Sequence, residues 1–225
     1  MTSKTDETID TYNNIVDEYI EYFNSKDLKG NVQFQKEIDV LTNLLENGSK
    51  ILDVGTAIGD YPKYLTEKCN KAFEVIGIDT SKKMLEAAKK NAPKAIFKVM
   101  DMRNLAFLPN SFDAIICFAT LIHVDNIEAI KILEKFDSLL RVNGVIIINV
   151  MEHLNDSKEI YVKEPLKPKY SIYFNRYSKK FFTDWFLVRG YEIVGIFDNP
   201  LYNPKKIKEK IIDTNQFSVI VRKKF

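Results

Sequence analysis

Short apolar runs that alternate with segments of helical spacing limit the folds open to this chain. Parallel strands covered by helices on both faces are apolar along their whole length, whereas half-exposed strands are apolar at every second residue. Alternation of such runs with helices therefore predicts an α/β fold with an open, doubly wound sheet. The predicted strands of this region are Lys50 to Val54, Phe73 to Ile78, Ala95 to Val99, Phe112 to Phe118 and Val145 to Val150.

Helical segments separate most of these strands and also precede them. Apolar residues from Tyr12 to Phe23 recur at the spacing of one helix face, and a second helix is predicted from Val32 to Leu45. In the helix predicted from Asn126 to Arg141, Asp125 is the expected N-cap. The core-facing residues of that helix are predicted to be Ile127, Ile130, Leu133, Phe136 and Leu140, and the other helices of the region are Asp60 to Glu67 and Ser81 to Asn91.

The end of the chain has a different pattern. Ser178 to Arg189 has helical spacing, and Tyr191 to Asp198 and Phe217 to Arg222 are predicted strands joined by Asn199 to Asp213. Since no clear crossover helix lies between the two strands, we expect them to pair antiparallel at the sheet edge. The complete prediction is a mostly parallel, seven-stranded sheet with an antiparallel last strand.

Composition argues against several classes of protein. The apolar runs are far shorter than the ~20 residues that cross a bilayer. The N-terminus is polar, so neither a membrane span nor a secretory signal is predicted. The only cysteines, Cys69 and Cys117, lie far apart, and the only histidines, His123 and His153, lack ligand spacing. We therefore expect no metal site and a cytoplasmic location.

Two segments at the ends of predicted strands indicate a nucleoside site. The first strand ends in Asp53-Val54 and continues into Gly55 to Gly59, and the second is followed by Asp79. The carboxyl ends of parallel strands share one crevice, where glycines admit a ligand to the backbone and an acid binds ribose hydroxyls. Ala57 and Asp60 stand where a dinucleotide fingerprint has glycine, and the acids would repel a pyrophosphate. The charges therefore favour a phosphate-free nucleoside cation.

These motifs resemble those of the class I S-adenosylmethionine-dependent methyltransferases, whose first motif is similar to Ile51 to Gly59. The Tyr12 to Tyr19 segment resembles the lid helix of that family. Ala57 departs from the family pattern, which has glycine there, and Val142-Asn143 replaces a usual Pro-Gly. The later motifs follow in order as Val75 to Asp79 with Ser81 and Met84, Asp101 to Arg103, Ser111 to Ile116 with Leu121 to His123, and Leu139 to Gly144.

The resemblance implies S-adenosylmethionine as the cofactor and S-adenosylhomocysteine as the product. It implies that Asp53 and the loop after it hold the methionine part, that Asp79 binds the ribose and that Asp101 accepts from the adenine amine. Thr80 and Met102 would flank the adenine. The full set of implied cofactor-binding residues is Tyr12, Tyr19, Asp53, Gly55, Thr56, Ala57, Gly59, Asp79, Thr80, Met84, Asp101, Met102, Phe118 and Ala119.

The length of 225 residues fits a single methyltransferase domain. Within it we distinguish an N-terminal helical lid (1–48), a cofactor-binding core (49–150), a substrate-covering insertion (151–177), and a C-terminal helix with edge strands (178–225). The insertion is rich in aromatic residues and lysines and is predicted to lack regular structure.

Candidate acceptor residues come from the fourth strand and the insertion. His123 follows the fourth strand and is the candidate general base, with packing beside the cofactor as the alternative. Tyr173 and Arg176 are candidate acceptor contacts, and Arg176 would clamp a carboxylate or phosphate unless it is simply solvated. The favoured function is methyl transfer to an oxygen or nitrogen atom of a small molecule.

Other functions and assembly states stay open. Basic residues interleaved with aromatic ones suit an RNA methyltransferase, although the pI of 8.3 is below the value of about 9 typical of nucleic-acid domains. A non-catalytic S-adenosylmethionine-binding scaffold is a further alternative, because the motifs report binding and not turnover. An NAD-dependent oxidoreductase is disfavoured by Ala57 and Asp60. The protein is expected to be a monomer or a homodimer.

Overall fold

A central sheet in the computed structural model carries most of the core, and residues 3–24, 34–153, 159–200 and 215–225 are described. The strands are β1 (Lys50–Val54), β2 (Glu74–Asp79), β3 (Ile96–Val99), β4 (Phe112–Phe118), β5 (Leu140–Met151), β6 (Ile160–Lys163), β7 (Ser171–Phe174), β8 (Tyr191–Pro200) and β9 (Asn215–Lys223). Seven of them form one sheet in the order β3-β2-β1-β4-β5-β9-β8. Strands β1 to β5 pair in parallel, whereas β9 is antiparallel to both β5 and β8. The predicted fold class is confirmed.

Helices cover both faces of this sheet. They are α1 (Lys4–Asn24), α2 (Gln35–Leu44), α3 (Asp60–Glu67), α4 (Lys82–Asn91), α5 (Asn126–Leu139) and α6 (Lys179–Leu187). Side chains that precede three of them satisfy free N–H groups of the first turn. Asp125 accepts from the N–H groups of Ile127 and Glu128, and Ser81 and Ser178 cap α4 and α6 in the same way. The predicted N-cap at Asp125 is confirmed.

The core face predicted for α5 is confirmed at Leu133 and Phe136, and Leu140 is buried at the start of β5, but the prediction is wrong at Ile127 and Ile130. Ile127 is 68% exposed and Ile130 is 37% exposed. The prediction missed Ala129, Ile132 and Leu139, which are buried instead. The residues that α5 buries are Ala129, Ile132, Leu133, Phe136 and Leu139.

Strand β5 begins earlier than predicted. Leu140 pairs with Phe112 of β4 across a register shift, so the helix ends at Leu139 and the chain extends at once. Residues 141–143 are exposed, and the continuous burial starts at Gly144. The apolar signal therefore marked only the buried part of the strand.

The insertion contains regular structure, contrary to the prediction. Strands β6 and β7 form an antiparallel hairpin, and residues 154–158 of the predicted insertion lie outside the described part of the chain. The hairpin is fixed to α1, because the Thr11 hydroxyl donates to the Ser171 carbonyl at 3.2 Å and the Tyr173 N–H donates to the Thr8 hydroxyl at 3.2 Å. Helix α1 and the hairpin thus form one covering layer at the carboxyl edge of the sheet.

The last two strands pair antiparallel, as predicted, with β8 at the edge of the sheet. Strand β9 is inserted between β8 and β5, so its first residues lie beside the end of β5, with Gln216 opposite Met151. Residues 201–214, which contain most of the predicted connection, are outside the described part. Among the described helices, none combines the length and apolar character needed to cross a bilayer.

Candidate active site

Two adjoining cavities open where the carboxyl ends of β1, β2 and β4 meet the covering layer. Strand order reverses between β1 and β4, so the connections leave on opposite faces and a crevice remains between them. The first cavity has a volume of about 340 Å³ and contains the predicted adenosine residues Asp79 and Asp101. The second has a volume of about 360 Å³ and contains Asp53 and Thr56. Residues that line both are Tyr19, Phe23, Gly55, Ala57, Phe118, Ala119 and Gln216.

The loop after β1 is tightly folded against its surroundings. Gly55 has φ 74°, and a Cβ atom there would lie 2.1 Å from Thr120 Oγ1. Ala57 also occupies the left-handed region, with φ 46°, which costs a non-glycine residue on the order of 1 kcal/mol or more. Its N–H donates to Asp79 Oδ2 at 3.0 Å and so ties the loop to the end of β2. The loop therefore presents its backbone, rather than side chains, to the cavities.

Carboxylates gather around this loop. Asp53 is 2% exposed and accepts a hydrogen bond from the Thr56 hydroxyl at 2.6 Å. Burial raises the pKa of Asp53 to about 7, and the neighbouring charges of Asp79 and Asp60 add to the effect. Burial also raises the pKa of Asp79, although N–H groups of Ala57 and Ser81 bonded to its carboxylate oppose the shift.

This arrangement fits a phosphate-free nucleoside cation. Among the described residues, the hydrogen bonds of Asp53 and Asp79 come from neutral groups and neither carboxylate is in an ion pair. A ligand cation would relieve the mutual repulsion of these acids, whereas a pyrophosphate would add to it. The open backbone at Gly55 supplies the close approach that such a ligand requires.

Asp101 is held by a basic side chain. Arg103 donates from Nε and a terminal nitrogen to the Asp101 carboxylate, with the shortest distance 2.6 Å. The same guanidinium donates to Asp6 of α1 at 2.7 Å and lies 3.8 Å from Glu128 of α5. Arg103 therefore links the predicted adenine contact to the covering helix. Asp101 Oδ1 also accepts from the Arg103 backbone N–H at 2.8 Å, so a ligand amine at Asp101 would share carboxylate oxygens that Arg103 already contacts.

Half-buried Tyr12 of α1 and buried His123 form a hydrogen-bonded pair on the wall of the first cavity. His123 Nδ1 is 3.0 Å from the Tyr173 carbonyl, which can only accept, so Nδ1 carries the proton in the neutral ring. Nε2 is then an acceptor, and the Tyr12 hydroxyl donates to it at 3.2 Å. Burial lowers the pKa of His123 to about 4, so the ring is neutral at pH 7. The neutral imidazole is oriented for proton transfer at Nε2.

Most predicted site residues line one of the cavities, and three do not. Tyr12, Met84, Met102 and Thr80 line the first, together with His123. In the described part of the chain Gly59, Tyr173 and Arg176 contribute to neither wall. Gly59 instead precedes α3 with φ 81°.

The interpretation of Tyr173 and Arg176 as acceptor contacts is therefore corrected. Alternation along β7 turns Phe174 toward the cavity and Tyr173 away from it, fully buried. Tyr173 acts on the site through its carbonyl, which fixes the ring of His123. Arg176 follows the strand, beyond the residues that face the cavity.

Several cavity residues were not predicted. Phe34 and Tyr61 pack against Phe118 as tilted rings, with ring centroids 5.1 and 4.7 Å away. Met151 and Gln216 face each other from the paired strands β5 and β9. The expected antiparallel pairing at the chain end was the one signal that pointed to Gln216, because it brings the start of the last strand to the carboxyl edge. In the described ranges no three His, Cys, Asp or Glu residues cluster as metal ligands.

A doubly wound sheet, a glycine turn after its first strand and an acid after its second define a nucleoside-binding domain of the class I methyltransferase type. Residues 51–144 match the family model described as a methyltransferase domain. This match and the shared fold support a class I S-adenosylmethionine-dependent methyltransferase, a class whose cofactor is S-adenosylmethionine.

Individual relatives agree with this assignment. The chain is 44% identical over 69 residues to demethylmenaquinone methyltransferase of Thermotoga maritima, covering 31% of this chain and 30% of that protein. It is 29% identical over 168 residues to phosphoethanolamine N-methyltransferase 1 of Arabidopsis thaliana, and the match covers 73% of this chain and 29% of that protein. The chain thus spans less than a third of either curated relative.

A solved structure shares the fold over nearly the full length. The 1,6-didemethyltoxoflavin-N1-methyltransferase of Burkholderia thailandensis, crystallised with 1,6-didemethyltoxoflavin and S-adenosylhomocysteine, superposes with TM-score 0.67. The two sequences are 13% identical, and the match covers 100% of this chain and 92% of the other. At 13% identity the similarity establishes the shared fold alone.

Proposed function

We propose that this protein transfers a methyl group from S-adenosylmethionine to an oxygen or nitrogen atom of a small molecule. The observation that carries the proposal is the pair of adjoining cavities, one walled by Asp79 and Asp101 and the other by Asp53, with the exposed backbone of Gly55 between them. A nucleoside joined to an amino acid through a sulfonium group has the charge and length to occupy both. The small-molecule acceptors named for the relatives support the acceptor class.

Each predicted cofactor residue has a role in this proposal. Asp53 and the loop of Gly55, Thr56 and Ala57 hold the methionine part, Gly59 ends that loop at the start of α3, and Asp79 accepts from the ribose hydroxyls. The adenine lies between Thr80 and Met102 with its amine on Asp101. Helix α1 is the lid, with Tyr12 and Tyr19 above the cofactor. The remaining contacts are Met84 beside the nucleoside and Phe118 and Ala119 at the methionyl end.

S-adenosylmethionine supplies an electrophilic methyl group to the acceptor. The protein's residues orient the acceptor in line with it and exclude water, which accounts for most of the rate. The proton that the acceptor loses passes to the Tyr12 oxygen as the Tyr12 hydroxyl proton moves to His123 Nε2. His123 is placed for this relay because its Nδ1 proton is held by the Tyr173 carbonyl, which leaves Nε2 as the one acceptor on the ring, and Nε2 already receives the Tyr12 hydroxyl.

Methyl transfer should lack the pH inflexion of an ordinary histidine. Because burial lowers the pKa of His123 to about 4, the ring stays neutral from pH 5 to 8. We expect the ¹⁵N NMR signals of His123 to report the Nδ1–H form throughout that range, and kcat/KM to show no break near 6.5. A protonation step of His123 between pH 6 and 7 would contradict the buried, neutral assignment.

Tyr12→Phe should lower kcat about tenfold. This is less than the ~10²-fold loss typical of an absent general base, because a water molecule can replace the hydroxyl. The exposed tyrosine of the hairpin provides the matched control, so Tyr161→Phe should leave kcat unchanged. Equal rates in wild type and Tyr12→Phe would remove the relay from the mechanism.

Calorimetry with S-adenosylmethionine, S-adenosylhomocysteine and NAD tests the proposed function. We expect the first two to bind and NAD not to bind. A panel of small amines and phenols then identifies the acceptor through release of S-adenosylhomocysteine. Binding without release across the panel would favour a scaffold protein, and binding of NAD alone would overturn the assignment.

The Arg103 contacts suggest that the lid and the adenine site are coupled. Asp6→Asn removes one partner of a half-exposed ion pair, worth at most about 1 kcal/mol. We expect the Kd of S-adenosylmethionine to rise about threefold and α1 to be cleaved faster in limited proteolysis. Glu7→Gln, which neutralises an exposed acid one residue away, should change neither.

A further inference from the structure

The carboxamide of Gln216 is an unexplained polar group on the wall shared by the two cavities. Gln216 is 7% exposed, and its Oε1 atom is buried without a hydrogen-bond partner in the described ranges of the chain. A buried carbonyl oxygen without a partner costs on the order of 1–3 kcal/mol, so such a group usually meets a ligand or water. The next inward side chain on the same strand face, Ser218, is in contrast fully bonded to Glu37 and Asn199.

The topology of the sheet puts this group at the reacting end. Because β9 runs antiparallel to β5, its first residues reach the edge where the parallel strands end, and Gln216 pairs with Met151. Of the residues that line both cavities, only Tyr19 and Gln216 have polar side chains. In the proposed function the nucleoside lies in the first cavity and the methionine part in the second. The sulfonium group joins these two parts, so the wall that both cavities share lies nearest to the transferable methyl group.

We propose that Gln216 Oε1 accepts a hydrogen bond from an N–H group at the point of methyl transfer, so that this residue selects a nitrogen acceptor. The inference rests on the proposed function and refines it. An amide oxygen is a neutral acceptor that suits the N–H of a neutral amine, and the described cavity walls add only carboxylates as charged groups, which disfavour an anionic acceptor.

Sinefungin tests this inference without knowledge of the acceptor. In this analogue a carbon that bears an amine replaces the methylsulfonium, so its nitrogen stands where the methyl group would be. Gln216→Leu should raise the Kd of sinefungin about tenfold, as expected for a lost hydrogen bond to a charged donor, and change the Kd of S-adenosylhomocysteine less than about threefold. Gln216→Glu, which keeps an oxygen at this position and adds charge, should preserve or tighten sinefungin binding.

Asn215→Leu is the matched control, because it replaces an exposed carboxamide on the same strand. It should leave both affinities unchanged. If Gln216→Leu weakens both ligands equally, Gln216 supports the fold or the cofactor and the inference is wrong. Unchanged binding of both ligands by Gln216→Leu would also overturn the inference. Failure of the wild-type protein to bind either nucleoside would instead refute the proposed function.

Discussion

Gly55→Ala is expected to abolish detectable binding of S-adenosylmethionine. A Cβ atom on Gly55 would lie 2.1 Å from Thr120 Oγ1, 2.5 Å from its Cγ2 and 2.8 Å from its Cβ. Because the Cβ of Thr120 is itself in contact, no side-chain rotation relieves the clash and the backbone must move. Movement of this loop would displace the N–H groups and the Asp79 contact on which the site depends. Calorimetric titration of the purified variant measures the loss.

The clash can be separated from backbone strain. Gly48 also has positive φ, 83°, but a Cβ atom there would have no neighbour within 4 Å. Gly48→Ala should therefore cost only about 1 kcal/mol in unfolding free energy and leave binding intact. Removing the obstructing side chain in Gly55→Ala/Thr120→Gly should restore part of the affinity. Normal binding by Gly55→Ala alone would show that close packing of this loop is not required.

The parallel strands could be predicted because burial on both faces leaves an unbroken apolar run. Strand β4, Phe112–Phe118, has the bounds that its sequence indicated. Strands β6 and β7 escaped prediction, since each has only four residues and β6 alternates between exposed and half-buried positions. The buried face of α5 was predicted incorrectly in part for another reason. Ile127 and Ile130 compete with Ala129 and Ile132 for the core-facing positions, and only tertiary packing selects between them.

The site was predictable where it depends on strand ends and not where it depends on docking. Asp53 and Asp79 lie at the carboxyl ends of adjacent parallel strands, so topology alone brings them together. The contact between Tyr12 and His123 joins residues 111 positions apart and exists because α1 packs over the crevice. Gln216 reaches the same crevice through insertion of β9 beside β5. Local periodicity carries no information on either contact.

Asp53→Asn should weaken S-adenosylhomocysteine binding about a hundredfold at pH 7.5 while it stabilises the ligand-free protein. Loss of the buried carboxylate removes the partner of the ligand ammonium, and such truncations cost on the order of 2–5 kcal/mol. In the ligand-free protein the same carboxylate destabilises the folded state when it is ionised, because burial raises its pKa from 3.8 to about 7. Isothermal titration and thermal unfolding measure the two effects on the same samples.

The pH dependence follows from the direction of this shift. Between pH 4 and 7 the folded protein binds more protons at Asp53 than the unfolded chain, so unfolding free energy falls as pH rises through that range. Ligand binding favours the ionised form, so wild-type affinity should increase up to about tenfold per pH unit from pH 5.5 to 7. Asp53→Asn should flatten both trends, leaving the contribution of Asp79, whose pKa is also raised by burial.

A matched substitution distinguishes this effect from a change in overall charge. Glu74 is exposed at the opposite end of β2, so Glu74→Gln removes the same charge without touching the cavity. It should retain wild-type affinity, stability and pH dependence. If Asp53→Asn lost affinity without a gain in unfolding free energy, the ionised Asp53 carboxylate would not destabilise the ligand-free protein. The crevice would then owe its preference for a cation to Asp79 and Asp60.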